Sequence, residues 1–324
     1  MAGRGGHKVR RVSGRVMLPP IRVGVTTGLW IWRESLAERR VAIDRIAEAG
    51  IDHVFFADHV SFHDGSGKDG MVQATAIANL HDQLGIYAGV YLLALRHPVT
   101  VARQICDVAQ MAPGRFTFGV GVGGEDRHEV EICGIDPSTR GRRTDAALDV
   151  VTRLMAGETV DHESEFFSIE QASVIPAPAT RVPIMIGGRS GAAIARAGRF
   201  GDGWLAAWVS SRRFAQAVAA FDEQSAAANR SPVGDHGLQI WVGVGSDRDT
   251  ARQNVAAGME GFYKVPFAAF EKYTPWGTAA EIAEWLAPYV DAGCRHFNLT
   301  PCADSEEEAI ETIAEVRRLL LAWS

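Results

Sequence analysis

The chain has 324 residues, 47% of them hydrophobic and 22% charged, which are globular proportions that exclude a disordered chain or a coiled coil. Its net charge of −6 hides an asymmetry: setting aside Arg4, Lys8, Arg10, Arg11 and Arg15, which precede every acidic residue, leaves 28 Lys and Arg against 39 Asp and Glu, or about −11. That body has no basic stripe to track a phosphate backbone and no apolar run of roughly 18 residues to span a bilayer, so nucleic-acid and membrane partners are excluded.

Residues 1–20 read as a disordered extension with Met17 as an alternative start, because they lack the apolar stretch of about 7–15 residues that secretion requires. Four cysteines, Cys106, Cys133, Cys294 and Cys302, are too widely spaced for a metal knuckle and read as reduced core residues of a cytoplasmic protein.

From residue 21 to 324 short apolar runs alternate with helical patterns, with no linker between them, as in one domain. Strands are predicted at Ile21 to Thr26, His53 to Ala57, Ile86 to Leu93, Arg115 to Gly121, Pro183 to Ile186, Gly203 to Ala207, Leu238 to Val244 and Arg295 to Leu299. They are near-continuously hydrophobic, as strands buried on both faces should be. The first helix has a capping box in Ser35 and Glu38 and a stop at Gly50, with Ile43, Ile46 and Ala47 as its buried stripe. Another begins at Pro98 and ends before Pro113-Gly114, and the next runs from about Thr139 to Gly157. Later helices start near Ser190, Ser211, Arg248, Thr278 and Ser305, with an additional aromatic segment between Gly261 and Trp276. Eight βα units close most economically as a (β/α)8 TIM barrel of the α/β class, whose chemistry sits at the strand C-termini; a doubly wound open sheet is the rival.

The second strand runs into Asp58-His59, an ionisable pair where barrel chemistry is expected. The plainer reading is that Asp58 caps the strand and orients His59. His59, His63 and Asp64 do not read as metal ligands, because the segment Val60 to Gly70 has the composition of a loop and no helical period to bring a His-x3-His pair together. After the fourth strand Gly119, Gly121 and Gly124 match G-x-G-x-x-G, but they lie mostly within a strand and not at its turn into a helix. Glycines here either let a flat ring lie against backbone, with Glu125 at the rim, or relieve crowding in a narrow barrel. Gly187, Gly188, Arg189, Ser190 and Gly191 combine glycines, a helix N-terminus, a Ser cap and a guanidinium, which together suit a phosphate better than a plain turn.

Three segments taken together resemble the luciferase-like flavin and deazaflavin oxidoreductases: Gly50 to His59; Arg96-His97-Pro98 through Gly114-Arg115 to Gly123; and Pro183 to Gly188 through Gly201-Asp202-Gly203-Trp204. The likeness covers about residues 21 to 300 and points to the F420-dependent subgroup. It implies that His59 is the catalytic base or charge stabiliser and Glu125 the acid, although one more glycine precedes Glu125 here than in the sugar-phosphate dehydrogenases of the family. It further implies cofactor contacts from Asp58, Tyr91, Leu92, Ala94, Gly123, Gly124 and His128 and from the Gly187 to Gly191 loop, with a non-proline cis peptide at Tyr91–Leu92. The Trp that sugar-phosphate enzymes place after the Asp-His pair is replaced by Phe62-His63, which argues against that substrate.

The resulting expectation is an F420-dependent oxidoreductase acting on a small organic molecule in an apolar, aromatic-lined pocket. An FMN-dependent monooxygenase, served by a flavin reductase, is the alternative. The resemblance also implies a homodimer. A metal-dependent barrel hydrolase would want His-x-His where Thr26-Thr27-Gly28 stands, and a barrel reduced to binding would be expected to have lost His59 or the phosphate loop.

Overall fold

The computed structural model describes residues 19–26, 32–123, 126–231 and 234–323. In chain order the elements are β1 (Arg22–Thr26), α1 (Leu36–Glu48), β2 (His53–Phe56), β3 (His59–Phe62), β4 (Ser66–Lys68), α2 (Gly70–Leu80), β5 (Gly85–Leu92), α3 (Pro98–Met111) and β6 (Phe116–Gly121). They continue with α4 (Arg127–Ile132), α5 (Arg140–Met155), β7 (Val160–Glu163), β8 (Ser168–Ala172), β9 (Ile184–Gly187), α6 (Gly191–Phe200), β10 (Gly203–Ala206) and α7 (Ser211–Ala227). The last are β11 (His236–Gly243), α8 (Arg248–Tyr263), α9 (Ala279–Asp291), β12 (Cys294–Cys302) and α10 (Glu306–Ala322).

Eight strands pair in parallel and close in the order β1-β12-β11-β10-β9-β6-β5-β2, which makes the barrel and removes the doubly wound alternative. Strand burial explains the closure: β2 and β10 are buried at every position, so neither face tolerates water. The helices pack outside on apolar stripes such as Val101, Ala102, Ile105 and Val108 of α3 and Ile43 and Ile46 of α1. Short polar side chains start most of them, α3 and α5 excepted. The Ser35 capping box forms as the spacing predicts, Thr278 forms a second one with Glu281, and Ser190 and Ser305 accept N3 amides in the same way. At α7 the cap is Ser210, one residue ahead of the expected start.

Two antiparallel hairpins interrupt the alternation, β3–β4 and β7–β8. The first replaces the expected loop from Val60 to Gly70: its strands are only a few residues long, too short for a clear alternation signal. Among the described residues no helix is long and apolar enough to cross a membrane, and all four cysteines are free, Cys106 and Cys294 in the core. The expected extension lies outside the described residues apart from Pro19 and Pro20.

Polar groups are built into the barrel interior. His53 Nε2 donates to Asn298 Oδ1 at 2.7 Å, Asn298 Nδ2 to Gln239 Oε1 at 3.1 Å, and Gln239 Nε2 to the Gly89 carbonyl at 2.8 Å, which links β2, β12, β11 and β5. Near the opposite wall His236 Nδ1 accepts the Trp204 amide at 3.2 Å, which requires a neutral ring. Burial lowers both His53 and His236 to about 4. Unfolding returns each imidazole to its usual value of about 6.5, so between about pH 6.5 and 4 the unfolded chain binds more protons and the fold loses stability as pH falls. We expect urea-unfolding free energy to be flat near pH 7.5 and to fall by roughly 1.4 kcal/mol per pH unit for each buried imidazole below about pH 6; equal stability at pH 7 and pH 5 contradicts the burial of neutral histidines.

Candidate active site

The C-terminal end of the barrel is organised around Asp58, which follows β2 and is 1% exposed. Its carboxylate accepts the Gly70 amide at 2.8 Å, the Leu92 amide at 2.9 Å and both terminal nitrogens of Arg96. Burial pushes the Asp58 carboxyl up, against the opposing pull of the Arg96 guanidinium and the two amides. Arg96 also pairs with Asp69 at 3.2 Å and lies over the Tyr91 ring, 4.5 Å from its centroid. Asp58 thus fastens the end of β2 to the end of β5 and to the start of α2, and leaves the next residue, His59, at the mouth.

His59 Nδ1 lies 3.0 Å from Glu129 Oε2. Glu129, on α4 and 2% exposed, also accepts the Val60 amide at 2.7 Å and the Ser61 amide at 3.1 Å. Burial raises the Glu129 carboxyl, but His59 and these amides outweigh it and hold the group below its usual range. A second anchor, Asp126, accepts the His63 amide at 2.7 Å. The hairpin that carries His59 is therefore pinned to α4 by two carboxylates. With Nδ1 committed to Glu129, Nε2 is the atom left to exchange a proton with a molecule in the cavity that His59 lines.

That cavity has a volume of about 540 Å³ and opens between the ends of the barrel strands. On one side it is floored by Gly89, Val90, Gly121, Gly123, Gly187 and Gly188. Glycines of β6 answer to crowding inside the barrel. A Cβ at Gly119 would sit 2.0 Å from the Ala88 carbonyl oxygen, and one at Gly121 would sit 2.4 Å from Val90 Cγ2. The narrow-barrel reading of the glycine strand therefore holds at these two positions. Gly188 has φ +121°, a backbone conformation that disfavours any Cβ. Its carbonyl accepts the Trp204 indole N–H at 2.6 Å, which fixes the loop, while Ser190 Oγ caps α6 through the Ala193 amide. The first-turn amides of Gly191 and Ala192 have no acceptor within the helix.

The third-strand irregularity is present but displaced from the expected position. The β5–β6 register shifts between Ala88 and Tyr91, and the cis bond is Gly89–Val90, not Tyr91–Leu92. The kink falls where Gly89 has no Cβ to strike Gln239 Oε1, which would lie 2.4 Å from it.

Of the residues singled out in the sequence, Asp58, His59, Leu92, Gly123, Gly187, Gly188 and Arg189 line this one cavity. Tyr91 and Ala94 are buried behind the wall, Tyr91 against Phe118 and Ala94 with its carbonyl on Arg143. His128 is exposed on α4, and Ser190 and Gly191 sit at the exposed rim. Gly124 and Glu125 lie outside the described residues. Arg96 and Glu129, which fix the Asp58-His59 pair, were missed because they are 38 and 70 residues from their partners; the Arg-His-Pro triplet before α3 was the only local signal of either. Among the described residues no three metal-ligating side chains converge.

A family model described as luciferase-like monooxygenase matches residues 16–272, and the chain belongs to that family. An F420-dependent glucose-6-phosphate dehydrogenase of Nakamurella multipartita is 32% identical over 194 residues, which is 58% of this chain and 56% of that protein. The chain therefore spans little more than half the length of this curated relative. A 4-hydroxyprotoasukamycin monooxygenase of Streptomyces nodosus subsp. asukaensis is 25% identical over 97% of this chain and 86% of its own. Among solved structures, an F420-dependent secondary alcohol dehydrogenase in complex with an F420-acetone adduct superposes with a TM-score of 0.81 at 20% identity, over 93% of this chain and 99% of that one, a likeness of fold.

Two substitutions probe the anchors. Asp58→Ala leaves Arg96 buried without its main partner and is expected to cost about 3–5 kcal/mol in chemical denaturation. Glu129→Ala is expected to speed hydrogen exchange at the Val60 and Ser61 amides by about 5–150-fold, from the loss of roughly 1–3 kcal/mol of local hydrogen bonding. Unchanged exchange would show that the hairpin is held by something else.

Proposed function

We propose that the chain is an F420-dependent oxidoreductase acting on a small organic substrate. The observation that carries this reading is the pairing, within one cavity, of a carboxylate-anchored imidazole at one edge with a glycine-floored slot and a helix N-terminus at the other. The residues present fit such a cofactor. Val90 offers a low apolar floor between Gly121 and Gly187, and Arg189 with the free amides of α6 suits the charged phosphate of the tail. The relative from Nakamurella multipartita supports the same cofactor.

When bound, the deazaflavin accepts or returns a hydride at its C5. The remaining work falls to the chain. His59 Nε2 takes the hydroxyl proton as an alcohol is oxidised, or supplies it when a carbonyl is reduced, and Glu129 stabilises the imidazolium that results. Asp58 keeps His59 in place without exchanging protons itself, since its oxygens are already engaged by four donor nitrogens. Glu125, by its place after the glycine strand, is the second candidate for acid.

The near-full-length monooxygenase relative supports a second reading, an FMN-dependent monooxygenase fed by a flavin reductase. Titration separates the two. We expect saturable F420 binding, seen as a change in ring fluorescence, with no comparable binding of FMN, and a fall in kcat of about 10²–10⁴ for His59→Ala with F420 affinity retained. Binding of FMN alone selects the second reading, and binding of neither removes both.

A further inference from the structure

We propose that the molecule turned over in this cavity is an uncharged, lipophilic alcohol or carbonyl compound, received by an aromatic half of the mouth. The chemistry rests on the oxidoreductase reading above, whereas the binding does not.

Strand order divides the cavity wall into two continuous arcs. The arc from β2 through β5 and β6 to β9 carries the glycine floor and the carboxylate, imidazole and guanidinium lining groups among the described residues, with Asp58 and His59 at one end and Arg189 at the other. The arc from β10 through β11 and β12 to β1 presents Trp208, Gln239, Trp241 and Thr300, and the last turn of α8 adds Phe262 and Tyr263.

Together with Phe62 of β3, the rings of this second arc form a continuous series. Phe62 lies 4.2 Å from His59 and 5.3 Å from Phe262; Phe262 lies 5.8 Å from Trp241 and 4.8 Å from Tyr263; Tyr263 lies 5.2 Å from Trp208. The series ends where the Arg189 guanidinium stands 5.3 Å from the Trp208 ring. An apolar body laid along these rings places its reactive oxygen at His59, where the two arcs meet.

Charge and polarity exclude the alternatives. Asp58 is neutralised by Arg96, and Arg189, which the cofactor phosphate takes up in the reading above, reaches the rings only at Trp208, so among the described lining residues a phosphate or carboxylate lying between Phe262 and His59 meets no guanidinium or ammonium group and bears the cost of its dehydration. A polyol is served little better, because the Gln239 amide is bonded on its oxygen by Asn298 and through its nitrogen to the Gly89 carbonyl. In the oxidative direction the carbinol C–H bond breaks as hydride to oxidised deazaflavin, the O–H proton passes to His59 Nε2, and the carbon–oxygen double bond forms. Reduction of a ketone by reduced deazaflavin is the reverse.

The test is titration of the full chain, followed by tryptophan fluorescence, with 2-decanone and with glucose 6-phosphate, in the absence and presence of F420. We expect saturable quenching by 2-decanone, none by glucose 6-phosphate, and a ketone affinity about ten-fold weaker in Phe262→Ala with the F420 affinity unchanged. Phe262 is 38% exposed, so the fold tolerates its removal. Absence of saturable ketone binding, tighter binding of glucose 6-phosphate, or an unaltered ketone affinity in Phe262→Ala overturns the proposal. Ketone binding of the expected kind without F420 binding leaves the pocket assignment standing and removes the cofactor reading, whereas F420 binding with a preference for glucose 6-phosphate does the reverse.

Discussion

A buried carboxylate engaged by four donor nitrogens sets the geometry on which the cavity depends. Asp58 cannot shift without abandoning a largely buried guanidinium and two backbone amides, so the ends of β2 and β5 and the first turn of α2 are fixed relative to one another. His59 inherits that position. Its own orientation comes from a second carboxylate, Glu129, brought in by α4. Two acidic groups with similar burial thus do different work, one in the frame and one against the ring that faces the cavity.

Below them the barrel interior is polar where a hydrocarbon filling is the usual solution. The succession His53, Asn298, Gln239, Gly89 runs from the lower barrel to the cavity floor with each nitrogen donating toward the next residue, so the orientation of both amides goes with the tautomer of His53 that carries its proton on Nε2. The succession thus has a single direction. The Gly89 carbonyl is held from beneath, on the backbone segment that also presents Val90 to the cavity.

Much of this was legible in the sequence, for a physical reason. Strands buried on both faces leave uninterrupted apolar runs, and helix starts need a short polar cap, so Ser35, Ser190, Thr278 and Ser305 announce their elements directly. The pairing of Asp58 with His59 and the glycine loop at Gly187-Gly188 were visible because each is contiguous. What could not be read is what sequence distance conceals. The β3–β4 hairpin is stabilised by Glu129 and Asp126 rather than by its own alternation, and nothing local in Arg127 to Ile132 signals that partner. Gly119 and Gly121 could be assigned to crowding only once Ala88 and Val90 were seen against them, and the cis bond was misplaced by two residues because the pattern Gly-Val-Tyr-Leu marks the kink without its register.

The end of α8 supplies Phe262 and Tyr263 to one cavity wall, with Phe270 of the aromatic segment packed against Tyr263, and it contributes nothing to the Asp58 and Glu129 anchors. Residues 261–276 form a contiguous stretch whose rings meet the barrel chiefly through Trp241 and Trp208. On the proposed function, selectivity and proton exchange then fall largely to separate parts of the chain. A lineage can revise what the mouth admits by exchanging one short cassette, without reopening the problem of how the imidazole is held.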